Sequence, residues 1–390
     1  MPNLLLLALL ATFPSLSTDM YLPAIPLLER IWGISLPLAN LSLVVFFASF
    51  SFFLLVHGPL SDRFGRRPVL LWGILLFIAG SLSCALSTSI GMLIAARAVQ
   101  AAGAAAASSL SLALSKDLYS GQDRQRILAY IAVILSVCPM LAPTLGSWVM
   151  LVASWRWIFV CQAVLALAGL YGSFRLKEPL ANRTRGGVLA VAGRYLVLLR
   201  NGRFLLVTLA FSIMSMPHFA YIGGSSSIFI SDFGVSEQAY GIYFGINALG
   251  LMLGAMLCSR IGAARDGGFV LNTALFGLLA SGCALLLTGG STPLRLVLPM
   301  FCCTFFLGLS RPISNNMVLE QVESDVGAAS SVLTFCIFTL GAFGMWLISL
   351  DWHSKPMLVG VLAVLGALTP LAAMRLFRRI ERRDAERKSG

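Results

Sequence analysis

The sequence predicts an all-α integral membrane protein, with twelve transmembrane helices packed as two six-helix bundles related by pseudo-twofold symmetry. Three observations predict it. The 390 residues are 58% hydrophobic and only 11% charged, against roughly 25% charged in an ordinary soluble domain. Twelve apolar runs approach the roughly 20 residues that a spanning helix needs. A long polar connection at 175–203 then divides those runs six and six.

In order, the spans are expected near 4–28, 38–59, 68–88, 91–114, 127–151, 155–175, 204–230, 238–259, 269–289, 294–318, 327–350 and 356–375. The first follows Met1-Pro2-Asn3, which lacks the basic residues of a secretory signal, and so reads as a span. Pro23 and Pro26 bend its outer half. The second closes on a glycine-acid-glycine turn. The fourth is rich in alanine and glycine, which lets a neighbouring backbone come close. The fifth carries Pro139 and Pro143, the seventh Pro217 and paired glycines, the eighth Asn247, and the tenth Arg311. The other five rest on apolar length. The resulting units are residues 1–175, a linker at 176–203, residues 204–375 and a basic tail at 376–390.

The net charge of +12 has a topological cause. Basic clusters at 63–67, 116–126, 175–203, 260–265 and 375–388 fall on alternate loops, the positive-inside pattern. It places both termini in the cytoplasm, with membrane lipid rather than nucleic acid as the partner. All eight cysteines lie in apolar runs without ligand spacing, and read as small packing residues. No cofactor or metal is expected, and the chain is expected to act as a monomer.

Acids carry the chemistry. Of sixteen Asp and Glu residues, only Asp19 in "LSTDMYLPAIP" lies well inside a span. Arg97 and Arg311 are the corresponding bases. A charge at membrane depth costs at least about 2.5–3.5 kcal/mol, so Asp19 and Arg97 are natural partners. An acid facing a cavity can exchange a proton with water, which is the minimum for proton coupling. The pair can equally be a structural bridge, or Asp19 a cap near the outer surface. Tyr21, Phe46, Phe50 and Gln100 are candidates for the substrate pocket of the first half, and His218, Tyr221, Asn247 and Arg311 for that of the second. For each, helix packing is the competing reading, and Arg311 can also snorkel to the interface.

In "HGPLSDRFGRRP" (57–68), Gly58 is expected where two helices meet, and Gly65 at a tight turn. Arg63, Arg66 and Arg67 hold the turn at the cytoplasmic face. Asp62 is expected at the N-terminus of a neighbouring helix, as a latch that opens with the cytoplasmic side. A degenerate copy, "LGAMLCSRIGAARDGG" (253–268), has no acid matching Asp62.

"GPLSDRFGRR" resembles the signature loop between helices 2 and 3 of the major facilitator superfamily. "TDMYLPAIP", "ARAVQAAGAAAA", "CPMLAPTLGSW" and "FGVSEQAYGIYFGINALGLMLG" are similar to its Bcr/CflA group of drug/proton antiporters, in order along nearly the whole chain. The resemblance implies proton and substrate coupling at Asp19 and Arg97, and a cytoplasmic latch at Asp62. It also implies an antiporter element at Pro139, Pro143 and Gly146 in helix 5. Two departures stand out. The helix 5 element has fewer glycines than usual, and Arg311 replaces a residue that is usually uncharged.

The expected activity is therefore proton-coupled export by alternating access, with the proton as coupling ion, and not enzymatic catalysis. One carboxylate with one or two arginines suits neutral, zwitterionic or weakly anionic amphipathic compounds better than dications. The resemblance points to phenicol-, bicyclomycin- or sulfonamide-like drugs. Proton-coupled uptake of a small polar metabolite such as a nucleoside is the alternative.

Overall fold

The computed structural model describes residues 3–180, 188–261, 266–322 and 325–389. For 188–192 and 377–389 only the backbone is described. The basic residues at 181–187 and 262–265, and the side chains of the tail beyond 376, lie outside the described residues.

Among the described residues, twelve helices are long and apolar enough to cross a membrane: α1 (Leu4–Trp32), α2 (Leu36–Phe64), α3 (Arg66–Ala85), α4 (Ile90–Leu118), α5 (Gly121–Val152), α6 (Arg156–Arg175), α7 (Gly202–Asp232), α8 (Glu237–Ile261), α9 (Gly267–Thr288), α10 (Pro293–Leu319), α11 (Val326–Ser349) and α12 (Lys355–Leu376). Several overrun the expected spans. Residues 60–64, expected beyond the second span, are the end of α2, and Gly65 alone separates it from α3. The helix that forms α12 continues through the basic tail to Ser389.

The first helix of each half is interrupted. In α1 the regular helix stops at Asp19, passes through a 3₁₀ turn at Leu22–Ala24 and resumes at Ile25. Pro23 and Pro26 cannot donate to the turn before them, so the hydrogen-bond ladder breaks here. Ahead of the break, Ser17 and Thr18 return their hydroxyls to the carbonyls of Phe13 and Pro14, a bonding mode that bends helices. In α7 the helix stops at Ile213 and restarts at Met216 beside Pro217. It ends as a π-helix over Ser227–Asp232.

Small residues set the packing. A side chain at Gly103 would strike the backbone of Phe77, and one at Gly73 the methyl of Ala106, so α3 and α4 touch backbone to backbone. The two halves meet along α2–α11 and α5–α8. Phe47 stacks on Phe338 at 5.8 Å, and Ser51 bonds Thr339 at 3.2 Å. Asn40 joins the halves near the end away from Gly65: its amide donates to the Gly223 carbonyl at 2.9 Å and to Ser349 Oγ at 2.8 Å. That end also holds an open cavity of about 570 Å³, lined from both halves by residues including Glu29, Arg30, Asp232 and Lys355.

Within the linker, residues 188–200 form a helix, where a polar connection was expected. Tyr195 donates to the Leu55 carbonyl of α2 at 3.0 Å, and Arg194 lies 3.7 Å from Asp325 at the start of α11. Exposed Leu196, Val197 and Leu199 are the apolar side chains that lengthened this stretch without making it a span.

Candidate functional site

The site of the first half is built around Arg97, which is fully buried in α4. Its Nη1 donates to the Ser17 carbonyl at 2.9 Å and to Gln100 Oε1 at 2.6 Å. Ser17 lies just ahead of the α1 break, so the guanidinium satisfies backbone that a broken helix leaves exposed. Aromatic faces enclose the cation: Phe46 at 4.2 Å, Tyr21 at 5.0 Å and Phe159 at 5.9 Å. Such contacts are worth about 0.5–2 kcal/mol each, more when desolvated. Gln100 donates in turn to Ser81 and Gln162, both at 2.8 Å. Gln162 then donates to the Leu16 carbonyl at 3.0 Å. Four helices thus close one polar network on the α1 break. Tyr21 bonds Ser42 at 2.9 Å, and Phe50 stacks on Phe46.

Asp19 is 5% exposed and ends the regular part of α1. It does not pair with Arg97, contrary to expectation. Its hydrogen-bond partner is the Thr18 hydroxyl at 3.0 Å, and Cys138 of α5 and Tyr240 of α8 lie within electrostatic reach. The physical reason is the break itself. Arg97 is drawn to the uncapped carbonyl of Ser17, while Asp19, two residues on, turns towards the boundary with the second half. Arg97 Nε and Nη2 are left without protein partners.

Gly146 of α5 explains how the break is held. A Cβ there would collide with the Met20 carbonyl, one residue beyond Asp19. On the same helix, Thr144 lies against Gly241 and the Met140 carbonyl against Gly245, both in α8. The helix 5 element therefore touches the acid-bearing break and the opposite half together. Pro143 is buried and Pro139 half-buried within an unbroken α5.

In the second half, Asn247 donates to Tyr221 Oη at 2.8 Å, and Tyr221 stacks on Phe244. Thr304 of α10 donates to the Asn247 carbonyl at 2.9 Å. Arg311 and His218 lie within electrostatic reach of each other. His218 Nδ1, Asn247 Oδ1 and Arg311 Nε are buried without hydrogen-bond partners.

The turn at Gly65 differs in detail from expectation. Glu178, from the linker, accepts from the backbone N–H groups of Arg66 and Arg67, both at 3.0 Å, and so caps α3 where Asp62 was expected. Asp62 pairs instead with Arg66 one turn away. Arg66 also reaches Asp117 at 2.8 Å and Ser61 at 2.6 Å. Arg67 donates to the Phe174 carbonyl at 2.8 Å, and Arg63 lies over Phe64. All these contacts fall within the first half and the start of the linker. Gly65 has φ +107°, where a side chain would meet Glu178. Gly58 faces open space, so it does not serve the close helix contact expected of it.

Ser81, Gln162, Asn40 and Glu178 are additions that sequence reasoning did not supply. Gln162 and Asn40 were detectable as buried amides in apolar spans. Glu178 gave no signal, because the turn it caps lies more than a hundred residues away. All eight cysteines are free, and no group of metal-ligating side chains occurs among the described residues.

Two six-helix halves around a pair of broken helices are the build of an alternating-access carrier. The sequence profile of the Major Facilitator Superfamily matches residues 7–345, and the chain belongs to this superfamily: it is a transporter, not an enzyme. It is 32% identical to an uncharacterized MFS-type transporter, YdgK, of Bacillus subtilis, over 93% of each chain. It is 27% identical to a chloramphenicol resistance protein of Pseudomonas aeruginosa, covering 89% of this chain and 84% of that one. A bicyclomycin resistance protein homolog of Haemophilus influenzae is 28% identical, with coverages of 87% and 86%. These relatives accord with the Bcr/CflA resemblance. Among solved structures, the partially occluded inward-open xylose transporter XylE from E. coli superposes with a TM-score of 0.71 at 15% identity. The match covers 94% of this chain and 96% of that one, and shows the fold alone.

Proposed function

We propose that this chain exports small amphipathic molecules from the cytoplasm of a bacterial cell in exchange for protons. The basic end, with Gly65 and both termini, faces the cytoplasm. The Asn40 bridge and the cavity beside it then lie on the outer side.

The observation that carries this reading is Asp19. A carboxylate at membrane depth is expensive unless it is paired or neutralised, and this one has no cationic partner among the described residues. Protonation removes its charge, so the carrier can cross between its two states with the acid neutral. Deprotonation towards the cytoplasm frees the site for substrate, so that proton and substrate compete for one state of the carrier. Arg97 serves the cycle by holding the α1 break, rather than by the release of an ion pair. Gly146 lets α5 follow Met20 and pass the change to α8. The relatives named for chloramphenicol and bicyclomycin resistance support drugs of phenicol or bicyclomycin type as cargo, and the Bcr/CflA resemblance adds sulfonamides.

The test is growth of a host stripped of its own exporters, carrying wild type or Asp19→Asn, on plates of these compounds and of toxic nucleoside analogues. Protection by wild type and its loss in the variant is the expected result. Sensitisation to a nucleoside analogue would mean uptake, and would overturn the direction.

A further inference from the structure

A guanidinium offers five N–H donors, and none of Arg311's meets an acceptor among the described residues. The residues around it fix where it points. Leu309 packs on Val270 and Ala274 of α9, away from the centre. Gly308 meets the Leu251 backbone of α8, and Ser310 bonds Met214 of α7 at 3.6 Å. At 100° per residue, Arg311 falls between those last two contacts, on the side opposite Leu309. It faces the groove between α7 and α8, not lipid.

His218 stands one turn beyond Met214 on α7, and Tyr221 with Asn247 comes next. These four side chains form a polar column from the basic end towards the middle of the second half. A buried polar atom without a partner calls for an explanation, and three of the four residues carry one. The column holds a cation and no carboxylate. The first half differs, since two of Arg97's N–H groups are used on Ser17 and Gln100.

We propose that Arg311 and His218 form an anion-recognition subsite in the second half, where Arg311 engages the acidic group, a carboxylate or an ionised sulfonamide, of those exported molecules that bear one, from the cytoplasmic side. The inference rests on the export reading and gives weak acids the advantage over neutral compounds of like shape.

The test is ligand binding to purified full-length protein in lipid nanodiscs at pH 8. Two matched pairs serve as probes: sulfathiazole against its N-methylated neutral derivative, and an arylcarboxylate against its methyl ester. Chloramphenicol is the neutral control. Wild type is expected to bind each acid at least about tenfold more tightly than its neutral partner, as for a charge-assisted contact. Arg311→Gln should weaken the acids by about thirtyfold and the neutral compounds less than about twofold, and Arg311→Lys should fall between. Equal weakening of acids and neutral compounds would mean a structural role and overturn the proposal. So would wild type that binds neither acid, or binds it no better than its ester. Protection from phenicols in the growth assay would still stand in those cases. Conversely, Arg311-dependent acid binding without any protection would retain the subsite and remove the export reading.

Discussion

In the body of its spans, away from the helix ends, each half of the transporter holds one arginine, and the two are treated oppositely. Arg97 is sealed among three aromatic rings, hydrogen-bonded to the α1 break and tied through Gln100 to α3 and α6. Arg311 is half-buried, and its side chain has no hydrogen bond to protein among the described residues. A cation that the protein has surrounded is part of the structure, whereas one left open is available to something that comes and goes. The same contrast separates the two broken helices. The α1 break carries an acid and is braced by Gly146, whereas His218 follows the α7 break and α7 itself ends in a π-helix, a feature frequent at functional sites.

Substitutions can break this comparison. The largest effect is expected at Gly146. Leucine there must displace the Met20 carbonyl, and overpacking of that kind costs about 1–3 kcal/mol or more; export should be abolished in an assay of drug accumulation, and the melting temperature in detergent should fall. Next come the arginines. Arg97→Gln removes charge-assisted hydrogen bonds worth about 1.5–3 kcal/mol each and should lower the melting temperature. Arg311→Gln removes an unpaired partly buried charge and should leave it unchanged or raise it. Equal losses at both sites would erase the distinction between a structural and a vacant cation. The smallest effects are at the basic turn. Gly65→Ala, at a positive φ and against Glu178, should cost about 1 kcal/mol or more. Gly58→Ala, in open space, should change neither stability nor export, contrary to its place in the motif.

Most of the architecture was legible because a bilayer permits few solutions. Apolar length, alternate basic loops and the division at 175–203 predict twelve helices in two sets. The importance of Asp19, Arg97, Arg311 and Asn247 was also legible, as polar residues inside apolar runs are rare. Their partners were not. Two opposite charges on neighbouring helices suggest an ion pair, but pairing depends on where a broken helix leaves its carbonyls, and Ser17 outcompeted Asp19. The cap on α3 failed for a similar reason. Asp62 and Glu178 are both acids beside arginines, and only the return of the chain after α6 decides which one reaches the N–H groups of Arg66 and Arg67. The linker helix at 188–200 was missed because its apolar face is too short for a span.

The most direct test of the central claim, that Asp19 is the proton carrier, is proton release when a transported drug is added to purified protein in unbuffered detergent solution, followed with a pH-indicator dye. Wild type should release protons on binding. Asp19→Asn should bind the same drug and release none, and Arg97→Gln should still release them whenever it binds. Proton release that persists in Asp19→Asn would place the coupling elsewhere and contradict the account.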